Sequence, residues 1–276
     1  AAATATATAA AAKKHEYHAP PLPKVTYTVV NRVPVQRPSC IEGFFYHNGS
    51  FYQSDGMWGE SAVLRVNATT GAVLKRYDDF PSTLFAEGLA HRHNASGLHL
   101  YMVTYHARRV YVFRERAARF ELLRTLPYAE REGWGMTVDA SVRGGAIVKS
   151  DGSDTLTWHD PDTFAVVKRV RITHGGRGMH LLNELEMVEG RLWANRYTTQ
   201  YVYVIDPATG RVEAQLDLRP LNTGTRPARN CGPPTANGIA YDAAERRLWV
   251  TGKYWRARVE VRAVLPGGRV IGNKGV

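Results

Sequence analysis

The chain has 276 residues, 44% of them hydrophobic, enough to bury a full core. Its formal charge is +11 and its pI about 9.8, but Lys and Arg are spread along the whole length. No basic helix or aromatic-interleaved basic stretch is present, so nucleic acid is not the expected partner.

Residues 1–24 open with an Ala/Thr tract, Ala1 to Ala12, and pass through Lys13-Lys14 into a Pro-rich run ending at Pro23. That composition reads as a disordered leader. The tract lacks the Leu-rich centre of a signal peptide. The missing initiator Met fits removal of an upstream segment, which leaves room for a lost membrane anchor. The chain itself holds no stretch apolar enough to span a membrane. Asn48-Gly49-Ser50, Asn67-Ala68-Thr69 and Asn94-Ala95-Ser96 are glycosylation sequons in predicted turns. They point to a glycoprotein of the secretory pathway or the extracellular space.

Val25 to Val35 is rich in β-branched residues and reads as a strand. From there to residue 276 the chain reads as one domain of five similar units. Each unit is marked by a short turn: Glu42-Gly43-Phe44, Glu87-Gly88-Leu89, Glu132-Gly133-Trp134, Glu184-Leu185-Glu186 and Asn237-Gly238-Ile239. Their first residues lie 45, 45, 52 and 53 positions apart. Short alternating strands at this period are the mark of propeller blades. The first unit runs from Glu42 to about Tyr77, with hairpins at Asn48-Gly49 and Thr70-Gly71. Later units turn at Asp160-Pro161 and Asp206-Pro207. The fifth supplies only three strands, ending near Leu265. The spare strand Val25–Val35 completes it, because an open edge invites aggregation. The expected fold is therefore all-β, a five-bladed β-propeller closed by its N-terminal strand.

In such a ring the starts of the innermost strands converge on the axis with the ends of the second strands. The candidates there are Glu42, Asp55, Phe85, Glu87, Tyr105, Trp134, Asp151, Asn183, Tyr197, Asn237, Lys253 and Trp255. A few ionisable groups among aromatics suit a small, partly apolar ligand. Plainer readings stand beside these. Asp55 and Asp151 precede glycines and read as turn residues. Propeller tryptophans usually pack between blades, and Lys253 can extend outward along its stem. Glu132 and Glu184 read as structural. Glu87 stands between Phe85 and Leu89, apolar surroundings that raise a carboxyl pKa.

The ten histidines show no metal-ligand spacing, and His91 and His93 read as solvated loop residues. No phosphate loop, GxSxG elbow or Cys-His pair appears. Catalysis would have to rest on proton transfer and positioning. The two cysteines, Cys40 and Cys231, exclude a disulfide framework and a zinc cluster. They fall in the first and last units, where ring closure would let them meet. Two unrelated small core residues is the preferred reading.

FAEGLA at 85–90, EGWGMT at 132–137, KSDGS at 149–153, LNELEMVEGRLWAN at 182–195, NGIAYD at 237–242 and LWVTGKYW at 248–255 span all five units. Together they resemble the plant and bacterial type of glutaminyl-peptide cyclotransferase, a five-bladed propeller. The resemblance implies conversion of N-terminal Gln of peptides and proteins to pyroglutamate, with loss of ammonia. It also implies chemistry without the zinc of the unrelated animal enzyme, and the chain is expected to be a monomer. No cofactor is then required for catalysis, and a calcium ion on turn carboxylates or carbonyls would be structural. By position, the family's acid/base carboxylate falls on Glu87, its amide on Asn183 and its lysine on Lys253. Its pocket aromatics fall on Trp134 and Phe85. Two further family tryptophans correspond to Tyr105 and Tyr197. Cys40-Ile41-Glu42-Gly43 stands where the family usually has Phe-Thr-Gln-Gly, so Glu42 makes the substrate wall more polar. The alternative from another class is a non-catalytic propeller that binds peptides at its axial mouth.

Overall fold

The computed structural model describes residues 19–142, 144–225 and 231–272. Strand β1 (Lys24–Pro34) precedes an antiparallel meander of β2 (Ile41–His47), β3 (Ser50–Asp55), β4 (Ala62–Asn67) and β5 (Val73–Tyr77). The plan repeats in β6 (Ala86–Asn94), β7 (Gly97–Thr104), β8 (Arg109–Glu115) and β9 (Phe120–Pro127). It repeats again in β10 (Met136–Asp139), β11 (Ala146–Lys149), β12 (Thr155–His159) and β13 (Val166–Arg171). A small hairpin, β14 (Thr173–His174) with β15 (Arg177–Gly178), leads to β16 (Leu182–Val188), β17 (Arg191–Arg196), β18 (Tyr201–Ile205) and β19 (Val212–Asp217). The last sheet holds β20 (Ala236–Asp242), β21 (Arg247–Gly252) and β22 (Ala257–Val264), with short β23 (Val270–Ile271) on part of β22. The described residues are all-β, with no α-helix and one turn of 3₁₀-helix at Arg219–Leu221.

Local sequence explains the plan. Asn48 and Gly49 both take positive φ, 49° and 74°, as the tight turn between twisted strands requires. Burial falls from the first strand of a sheet to the last: β2 is buried along most of its length, and β5 is largely wet. The first strands touch in a cycle, β2 to β6, β10, β16, β20 and back to β2.

β1 runs antiparallel to β22 from Thr26 opposite Val264 to Pro34 opposite Ala257, as the spare-strand argument expects. It also pairs at Lys24 and Val25 with β19, in parallel, and so ties two sheets together. The expected leader lies mostly outside the described residues. Its last residues lie on the body: Pro23 O accepts from Gln215 N–H at 2.9 Å, and Leu22 packs against the core.

Two of the five sequence anchors are displaced. Glu132 does not open an inner strand, since β10 begins at Met136. Gly88 N–H donates to Trp134 O at 2.6 Å, and a Cβ on Gly135 would lie 1.9 Å from Asn183 O. The equivalent pairs are therefore Glu42-Gly43, Glu87-Gly88, Trp134-Gly135, Asn183-Glu184 and Asn237-Gly238. Close packing at the axis demands glycine at four of these second positions, against neighbouring backbone at Gly43, Gly88 and Gly135 and against the Thr251 side chain at Gly238. Glu184 holds the fifth.

Candidate active site

A cavity of about 230 Å³ opens where the inner strands begin, lined by Glu42, Phe85, Glu87, Tyr105, Trp134, Asn183, Tyr197, Cys231 and Lys253. It brings together the catalytic and substrate-wall residues expected from sequence. Glu42, Glu87, Trp134 and Asn183 come from equivalent strand starts, and Lys253 and Tyr197 from the ends of second strands.

The other axial candidates lie elsewhere. Asp55 is neither a turn residue nor part of the cavity. It is buried at the end of β3, where Oδ1 accepts from Ser39 Oγ and Gln53 Nε2, both at 2.8 Å. Asp151 caps its own turn, accepting from Ser153 N–H at 3.0 Å. Trp255 belongs to the core of the last sheet. Asn237 lies behind the wall, and its Nδ2 donates to Glu42 Oε2 at 3.1 Å and Ile41 O at 2.8 Å. Glu132 does not line the cavity, and its Oε2 accepts from Trp134 Nε1 at 3.0 Å.

Lys253 points inward, 3% exposed, not outward along its stem. Its Nζ is 2.6 Å from Glu42 Oε1 and 5.3 Å above the Tyr197 ring. Burial pulls its pKa down, but the Glu42 and Glu87 carboxylates outweigh that and raise it. Burial also raises Glu42, against the pull of Lys253. Glu87 is pushed well above the ordinary carboxylate value, first by burial and then by the neighbouring Glu42 charge, with Lys253 opposing. Among the described residues Glu87 Oε2 has no hydrogen-bond partner, and neither has Asn183 Oδ1. A buried, unpaired oxygen is costly unless something else fills its place.

The sequence missed the braces beneath the wall. Ser54 Oγ on β3 donates to Glu87 O, and Ser150 Oγ after β11 donates to Asn183 O at 2.8 Å. Each ties one sheet to the strand start of the next. The signal lay in Ser54-Asp55-Gly56 and Ser150-Asp151-Gly152, where the serine, not the aspartate, faces the axis. Glu184 uses the space left by the glycines, and its Oε2 accepts from Ile239 N–H at 2.8 Å.

The preferred reading of the cysteines is overturned. Cys40 and Cys231 form a disulfide across 191 residues, and Cys231 lines the cavity. The Cys40 sulfur is 2.9 Å from Glu42 Oε1. His91 is also not solvated. It stacks on Phe45 with centroids 4.2 Å apart, and burial lowers its pKa to about 3. His93 is exposed, as expected.

Fold and pocket together define an all-β enzyme that sets a buried carboxyl, a lysine and an amide against an aromatic wall. The family model described as glutamine cyclotransferase matches residues 1–263. A glutaminyl-peptide cyclotransferase of Arabidopsis thaliana is 30% identical over 237 residues, 85% of this chain and 70% of that protein. The crystal structure of Myxococcus xanthus glutaminyl cyclase superposes with a TM-score of 0.76 at 28% identity, over 90% of this chain and 100% of that one. The chain belongs to the glutamine cyclotransferase family and is a cyclotransferase.

Proposed function

We propose that the cavity cyclises an N-terminal glutamine of peptides and proteins to pyroglutamate, with Glu87 as the proton shuttle. The carrying observation is the buried Glu87 carboxyl, its Oε2 without a partner among the described residues, in one small cavity with Lys253 and Asn183. The reaction is intramolecular, so holding the α-amine against the γ-carbonyl carbon is most of the task. Glu87 takes a proton from the attacking amine. The new C–N bond leaves a tetrahedral oxyanion within reach of Lys253 and the Asn183 amide. One good donor there is worth about 3–4 kcal/mol. Glu87 then returns the proton to the departing nitrogen, the second C–N bond breaks, and ammonia leaves with the lactam formed. A raised pKa suits a group that both accepts and returns a proton near neutrality.

Glu42 is part of the substrate wall and also sets its neighbours. Held by Lys253 and Asn237, it aims the ammonium and holds Glu87 up by its charge. Trp134, Phe85, Tyr105 and Tyr197 pack the glutamine methylenes and keep out water, the competing nucleophile. The successive sheets and the cycle of first strands support a five-bladed propeller with β1 completing the last blade. On this reading the reaction needs no zinc, because Glu87, Lys253 and Asn183 carry the proton transfer and the oxyanion. Among the described residues the one cluster of ligating atoms is Cys40, Glu42 and Cys231, and its sulfurs are already joined. The exposed turns at Asn48 and Asn94 suit glycosylation on a secretory route. No helix of the described residues is long and apolar enough to cross a membrane.

Ammonia release from a Gln-initiated dipeptide in the presence of phenanthroline tests this reading. Full turnover is expected. Loss restored by zinc would overturn the zinc-free mechanism.

A further inference from the structure

The cavity measures about 230 Å³, below the roughly 300–1,000 Å³ of typical ligand pockets. It takes one residue of a peptide. The next residue must lie outside it, and beside the lining residue Phe85 stands Trp58, a tryptophan 50% exposed. Its ring meets the cavity-lining Phe85 edge-on, with centroids 5.4 Å apart. Phe85 in turn meets Tyr105 at 5.9 Å, so the three rings continue the wall outward.

The turn that carries Trp58 is pinned by hydrogen bonds although the ring is open to solvent. Glu60 N–H donates to Met57 O at 3.1 Å and closes the turn that carries Trp58. Ser61 Oγ lies 2.9 Å from Met57 O and accepts Ala86 N–H at 3.0 Å. That bond ties the turn to the start of β6, the strand that carries Glu87. Gly56 lies so close to Phe85 that a Cβ there would come within 2.2 Å of its ring. An exposed aromatic held in place loses little freedom when a ligand covers it. Large rings at a surface otherwise favour burial.

We propose that Trp58 forms a subsite for the residue directly after the N-terminal glutamine, and that this subsite favours a large apolar or aromatic side chain. The inference rests on the cyclase reading and names the peptides that site prefers. It makes Trp58 a specificity residue of ground-state binding, so its mark falls on KM and not on kcat.

The test compares the amides of Gln-Phe and Gln-Gly with the wild type, Trp58→Ala and Trp58→Phe. One aromatic contact predicts a wild-type preference of up to about tenfold in kcat/KM for Gln-Phe, carried by KM. In Trp58→Ala the ratio falls toward one, and in Trp58→Phe most of it returns. Melting curves check that each variant is folded. An unchanged ratio in Trp58→Ala, or no preference in the wild type, overturns the subsite. An equal loss for both peptides also overturns it, because Trp58 would then act only by propping Phe85. Failure of the wild type to turn over either peptide refutes the cyclase reading itself, and the subsite with it.

Discussion

Glu186 gives a prediction whose size follows from its surroundings. It lies on β16 beside a second cavity of about 600 Å³ that is not the one described above. Oε2 accepts from Thr137 Oγ1 at 2.9 Å, and Oε1 from Tyr241 N–H at 3.1 Å. Burial dominates over these bonds and raises its pKa from 4.5 to about 8. Folding therefore tightens proton binding. The resulting stability is fully present below pH 4.5 and is lost as pH rises through about 8. At about 1.4 kcal/mol per tenfold in proton affinity, the gap amounts to about 5 kcal/mol. Glu186→Gln keeps the shape and has no proton to lose. Its amide oxygen still accepts from Tyr241, and its NH₂ turns to the Thr137 hydroxyl. Urea unfolding at pH 5 and pH 9 reads the effect. The variant should lie near the wild type at pH 5 and be several kcal/mol more stable at pH 9. A difference between the two proteins that changes by less than about 1 kcal/mol across that range would refute the reasoning.

Gly135→Ala drives a Cβ to 1.9 Å from Asn183 O, against backbone that cannot swing aside. It should cost about 1–3 kcal/mol in unfolding and lower kcat by displacing the Asn183 amide. Cys40→Ser opens a loop of 191 residues and should cost about 2–5 kcal/mol, read as a lowered melting temperature. Glu42→Gln removes the charge that raises both Glu87 and Lys253, so both limbs of the kcat/KM pH profile should move to lower pH.

The fold was legible where periodicity alone decides it. Hairpins such as Asn48-Gly49 and the runs of β-branched residues locate the strands, and the spare strand at Val25–Val35 pointed to its own partner. Anchor positions were less legible, because the Glu-Gly pair at 132–133 imitates the motif two residues before the true anchor, Trp134-Gly135. The real anchors, Trp134-Gly135 and Asn183-Glu184, each lack half of the pattern. Glu87, Asn183 and Lys253 could be named because their motifs are long. Their supports could not. Ser54 and Ser150 act through single hydroxyls across sheets, and the Cys40–Cys231 bond depends on closure bringing distant segments together. His91 misled for a related reason: its loop looks polar, but Phe45 of the neighbouring sheet covers the ring.

The claim that Glu87 carries the proton is tested most directly by ammonia release from Gln-Gly by Glu87→Gln, with Glu132→Gln alongside. Glu87→Gln keeps volume and hydrogen bonding but cannot shuttle a proton, so kcat should fall by at least ~10²-fold with melting nearly unchanged. Glu132, which does not line the cavity and whose carboxylate accepts from Trp134 Nε1, is the control. Its variant should stay within about tenfold of wild type, well short of the loss of a general acid–base group. Near-full turnover by Glu87→Gln, or an equal loss in both variants, would contradict the account.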